Sequence, residues 1–133
     1  MKLMKWLIGL SLLCVGAFIG WVVLEARPPT VRIFAEEFRF VPEKIALREL
    51  QSVRFVIKNQ GREPHTFYGS FFHDPTVSII WESAGQLSQH EKAIHLSHGQ
   101  SVSFLARFSA GIYPFRCVIQ GHRGMEGIIM VRK

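Results

Sequence analysis

The sequence predicts an all-β sandwich preceded by an N-terminal transmembrane or signal helix. Three observations predict it. Thr30 to Lys133 spans 104 residues, the size of a small sandwich domain. Apolar residues in that stretch recur at every second position, with almost no helical period. Turn-forming residues separate the alternating runs. The whole chain has 133 residues, 48% hydrophobic and 20% charged, with 11 Phe. That composition excludes a disordered chain, and the length suits one domain. The two cysteines, Cys14 in an apolar run and Cys117 near the C-terminus, do not make a disulfide framework.

The first element is Trp6 to Leu24, 19 residues without a charged side chain. At about 1.5 Å per residue such a helix crosses a hydrocarbon core of roughly 30 Å. Lys2 and Lys5 before it hold the N-terminus in the cytoplasm and place everything after Leu24 outside. The run has no polar face, which argues against a buried soluble helix. An uncleaved anchor is the leading reading, because Val23-Leu24-Glu25-Ala26 makes a poor cleavage site. A cleaved signal and a lipid-modified Cys14 are the alternatives, and Leu13 suits the second poorly. Residues 1–26 are therefore an anchor or signal segment, 27–30 a linker stiffened by Pro28 and Pro29, and 31–133 the folded domain.

Strands are expected at residues 31–35, 38–41 and 44–48. Val53, Phe55 and Ile57 then alternate with Arg54, Val56 and Lys58, which puts one face on a core. A strand at 66–71 follows the Asn59-Gln60-Gly61 turn. Residues 69–92 form a long excursion, with a strand-like Thr76–Trp81 and room for a short helix. After His98-Gly99, Val102, Phe104, Ala106 and Phe108 mark a further strand. Strands at 112–117 and 126–132 close the domain, the first of them entered through Ala110-Gly111. There are no internal repeats.

The closing stretch, YPFRCVIQGHRGMEGIIMV (Tyr113–Val131), carries the chemistry. Cys117, His122 and Met125 share one short loop with the spacing Cys-x4-His-x2-Met, and NQGREPHTF puts His65 at the start of a distant strand. A thiolate, two imidazoles and a thioether suit copper, with a trigonal Cys-His-His plane and a weak axial Met. Soft sulfur favours Cu(I) and imidazole favours Cu(II), so a rigid scaffold holding a compromise geometry serves both. The ordinary alternatives are a buried thiol as a small hydrophobe, a zinc site, or a Cys-His nucleophilic dyad. The thioether argues against zinc, and no oxyanion donor accompanies the dyad. An unpaired thiol outside the cytoplasm is a liability unless it has a use. Met130 is the other nearby thioether, but it falls in a strand pattern and reads as core. His90, His95 and His98 read as loop and edge histidines and His73 as a surface residue, not as a second metal site. Thr66 is placed to hydrogen-bond the Cys117 sulfur, and Asn59 to brace the turn before His65.

The chain resembles the cupredoxins, the small blue copper proteins, over roughly residues 31–133. EFRFVPEKI (Glu37–Ile45) is similar to their opening strands, and YPFRC followed by GH and M to their copper loop. The resemblance implies a Greek-key β-sandwich, one copper ion held by His65, Cys117, His122 and Met125, and one-electron transfer. Many members leave more residues between the second His and the Met than Arg123 and Gly124. Related domains with a dinuclear copper centre need two loop cysteines. This loop has one, so a mononuclear site is expected.

The functional expectation is a membrane-tethered, extracytoplasmic copper protein with no catalytic residues or substrate chemistry of its own. It would be a monomer shuttling single electrons to a redox protein such as a cytochrome or oxidase. Copper storage or delivery to a cuproenzyme is the rival, and a metal-free interaction domain the third reading. Residues 25–133 carry 14 Lys and Arg against 10 Asp and Glu, a net of +4. Arg116 and Arg123 near the loop could steer an acidic partner, while the scatter of basic residues argues against nucleic acid.

Overall fold

Alternate burial organises the chain into strands. The computed structural model describes residues 27–83 and 93–133. The expected anchor or signal segment, Cys14 and His90 lie outside the described residues. The strands are β1 (Thr30–Glu36), β2 (Arg39–Val41), β3 (Lys44–Arg48), β4 (Val53–Asn59), β5 (His65–Gly69), β6 (Ser78–Trp81), β7 (Ile94–Leu96), β8 (Ser101–Arg107), β9 (Gly111–Arg116) and β10 (Glu126–Arg132). Among the described residues there is no α-helix, and no helix long and apolar enough to cross a membrane.

The strands form two five-stranded sheets, ordered β2-β1-β4-β8-β6 and β3-β10-β9-β5-β7. Two pairings are parallel: β1 with β4, in register from Thr30 opposite Arg54 to Ala35 opposite Asn59, and β3 with β10. Before β1, the Pro29 carbonyl accepts a hydrogen bond from the Arg54 N–H at 2.8 Å.

Both long alternating runs bury the residues the pattern selects: Val53, Phe55 and Ile57 on β4, and Val102, Phe104 and Ala106 on β8. Phe55 lies opposite Phe104 across this pair, with the rings stacked at 5.3 Å. On the second sheet Phe67 and Phe115 meet at 4.9 Å, and Phe40 approaches both edge-on at 5.6 and 5.3 Å. Phe71 links the groups, 6.3 Å from Phe67 and 5.4 Å from Phe108. These rings are all buried, and each contributes about 1.5–3 kcal/mol of gross burial energy. Such a core gives the loops at its ends a stiff base.

The 69–92 excursion holds a 3-10 helix, Ser70–His73, followed by β6. The segment read as loop histidines contains β7, a three-residue edge strand paired antiparallel with β5. It sets His95 opposite Thr66 and Leu96 opposite His65.

Candidate metal centre

At one end of the sandwich β4 ends, β5 begins, and β9 hands over to β10. His65 is the first residue of β5, and Cys117 directly follows β9. His122 lies in the loop that leads into β10. The ligand-capable atoms of these three residues all lie within 4.8 Å of one another. His65 Nδ1 and His122 Nδ1 are 3.2 Å apart, and Cys117 Sγ is 3.5 Å from His122 Nδ1. Ligand atoms gathered this closely are placed to share one cation. Among the described residues this is the only such cluster of His, Cys, Asp or Glu.

The sequence of the loop explains its shape. The His122 N–H donates to the Ile119 carbonyl at 3.1 Å and the Met125 N–H to the His122 carbonyl at 3.3 Å. The Cys117 N–H closes the loop on the Met125 carbonyl at 2.9 Å. Gly121 and Gly124 have φ of 93° and 83°. A side chain rarely accepts that region, so these glycines permit the sharp return that the short His-x2-Met spacing demands. Met125 is carried back under the loop, where it is 1% exposed. Met130 lies half-buried within β10, opposite Ile112.

Thr66 joins the two ligand strands. Its N–H and hydroxyl donate to Cys117 Sγ at 3.4 and 3.5 Å, and its Oγ1 accepts the Val118 N–H at 2.8 Å. Asn59, fully buried, fixes the approach to His65. Its amide donates to the Glu63 and Leu96 carbonyls at 2.8 and 2.9 Å, and its Oδ1 accepts the Gly61 N–H at 2.9 Å.

His65 is 1% exposed, and its Nε2 has no hydrogen-bond partner among the described residues. Gly61 packs against it, where an added Cβ would lie 2.9 Å from that nitrogen. Burial pushes the His65 pKa below the usual histidine value, and the neighbouring His122 adds to this. Both effects favour the neutral ring, the form that can donate a lone pair. His122 is half-buried and meets the edge of the Phe38 ring, with centroids 5.0 Å apart.

The other described histidines stay apart. His98 Nδ1 is 2.6 Å from the Gly61 carbonyl, His95 sits on β7, and His73 ends the 3-10 helix. Phe38 and Gly61 went unnoticed in the sequence. Only their proximity in three dimensions marks them, although Gly61 does fall in a recognisable turn.

No known family model matches the chain. Among solved structures, it is similar to auracyanin B, with a TM-score of 0.57 and 21% identity over 84% of this chain and 94% of that one. It is also similar to dithionite-reduced auracyanin from the photosynthetic bacterium Roseiflexus castenholzii, with a TM-score of 0.57, 16% identity, and 78% and 97% of the chains covered. A third is auracyanin A, a "blue" copper protein from Chloroflexus aurantiacus, with a TM-score of 0.55, 19% identity, and 80% and 100% covered. The chain has the cupredoxin fold. In sequence, the chain is 32% identical over 114 residues to the copper-resistant cuproprotein CopI of Rubrivivax gelatinosus. The match covers 77% of this chain and 66% of CopI, so the chain spans about two thirds of that curated relative. The donor set on this cupredoxin scaffold fits one copper ion: a buried thiolate, two converging imidazoles, and no second loop cysteine.

Proposed function

We propose that this protein is an extracytoplasmic one-electron carrier that holds a single type 1 copper ion through His65, Cys117, His122 and the thioether of Met125. The observation that carries the reading is the convergence of His65 Nδ1, His122 Nδ1 and a buried thiol on one point. Bound copper supplies the one-electron couple. The protein's part is to keep the donors still and dry. Thr66 orients the sulfur, Asn59 and Gly61 fix His65, and the Phe-rich core resists rearrangement when the charge changes. His122 is the more exposed imidazole and offers a partner its closest approach. That partner is a redox protein such as a cytochrome or oxidase, met by a monomer tethered to the membrane through residues 6–24.

The decisive experiment is the visible spectrum of the copper-loaded chain. The expected result is an intense thiolate-to-copper band that disappears in Cys117→Ser. A band that survives this substitution refutes the site.

A second reading, copper storage or delivery, is favoured by the copper-resistant relative. Rapid loss of copper to an apo-cuproenzyme, with sluggish electron exchange, would select it over the shuttle.

A further inference from the structure

We propose that the β1–β2 turn is a clamp on the metal centre, in which Phe38 acts as a positioning residue that holds the His122 ring in its ligating orientation. The inference rests on the copper reading above.

Phe38 is an unusual occupant of its position. The two-residue link between Glu36 and Arg39 gives Phe38 a φ of 59°. Glycine or asparagine normally fills such a turn position, because a Cβ there crowds the backbone. Burial does not account for the choice, since Phe38 is 53% exposed. What the position provides is the edge-on contact with His122, at 5.0 Å and an interplanar angle of 84°. Strain that persists for an exposed residue points to a use for that contact.

The turn is also fastened to the other histidine's approach. The Glu37 carboxylate accepts the Arg62 N–H. The Ala35 carbonyl accepts the Gln60 and Gly61 N–H groups at 2.8 and 3.1 Å. One turn therefore grips the segment that leads into His65 and covers the face of the site at His122. These two ligands lie 57 residues apart in the sequence, and the β1–β2 turn contains neither.

A control is built into the fold. Leu50 is the other described non-glycine residue with positive φ, at 57°. It is 62% exposed in the β3–β4 link, where its N–H donates to the Phe108 carbonyl at 2.8 Å.

The test uses the full chain and compares Phe38→Asn, Phe38→Gly, Phe38→Tyr and Leu50→Gly. In the metal-free protein, Phe38→Asn and Phe38→Gly should raise the melting temperature by about 4 °C, as relief of strain predicts. In the copper-loaded protein the same two variants should release copper to a chelator roughly 10-fold faster. Their visible and paramagnetic resonance spectra should broaden as His122 gains freedom. Phe38→Tyr, which keeps the ring, should restore the parent rate. Leu50→Gly should raise the melting temperature and leave release unchanged. Release independent of Phe38, or equally hastened by Leu50→Gly, overturns the clamp while leaving the copper reading intact. An unaltered chain without a Cys117-dependent band fails the copper reading itself, and the clamp with it.

Discussion

Single side chains at this site do more than one thing. Thr66 supports the sulfur and also satisfies the Val118 N–H. Thr66→Val keeps the shape and the backbone N–H bond to sulfur but removes both hydroxyl contacts. It leaves a part-buried donor unpaired, which costs about 1–3 kcal/mol, and the copper-loaded protein should show a shifted charge-transfer band. Denaturant melts and a spectrum check both effects; an unmoved spectrum would place Thr66 outside the sulfur's environment. The methionines make a matched pair. Met125→Gln replaces a soft donor by an oxygen and should lower the reduction potential while keeping colour. Met130→Leu should alter packing and leave the potential near its parent value. Voltammetry that responds to residue 130 and ignores 125 reverses the assignment. Cys117, His122 and His65, which the fold brings together, could be singled out in the sequence because the chemistry needs those residue types in a compact loop and one distant strand. Phe38 was not visible, since its importance comes from a backbone angle and a contact that its letter does not announce.

Among the elements, legibility followed the strength of alternation. β4 and β8 read directly, because each has seven residues with a regular inward face. β5 is buried at four of its five positions, so alternation does not describe it, and its beginning was read one residue late. β7 has three residues and owes its existence to β5, far away in sequence. Local pattern holds no record of such a pairing. The bend between the 3-10 helix and β6 carries its own electrostatic test. Asp74 accepts the Thr76 hydroxyl at 2.7 Å and its N–H at 2.8 Å. These bonds hold its carboxyl below the usual aspartate value, the hydroxyl's being the larger influence. A depressed folded-state pKa stabilises the fold above the unfolded value of about 3.9, and the benefit is lost as pH falls through the folded pKa. Asp74→Ala should therefore lower the melting temperature at pH 7, and the difference should shrink below about pH 4. A difference that is constant with pH would assign the effect to packing.

For the whole molecule, the uncharged run from Trp6 to Leu24 makes the sharpest forecast. The full chain should sediment with membranes and retain that run. N-terminal sequencing that begins near Ala26 or Arg27 would leave a soluble shuttle instead. The parallel pairing of β1 with β4 then acquires a geographical meaning. The chain enters β1 at Thr30, beside Arg54, where the Pro29 carbonyl pins it. It leaves at the Asn59 end, next to the histidines. β1 has seven residues, which at about 3.3 Å each makes entry and centre opposite poles roughly 20 Å apart. The entry to the domain and the cluster of metal donors thus stand at opposite ends of one strand. Under the proposed anchor at residues 6–24, the donors would stand about one strand length beyond the point of attachment, and a partner's redox group would have to meet them at that height.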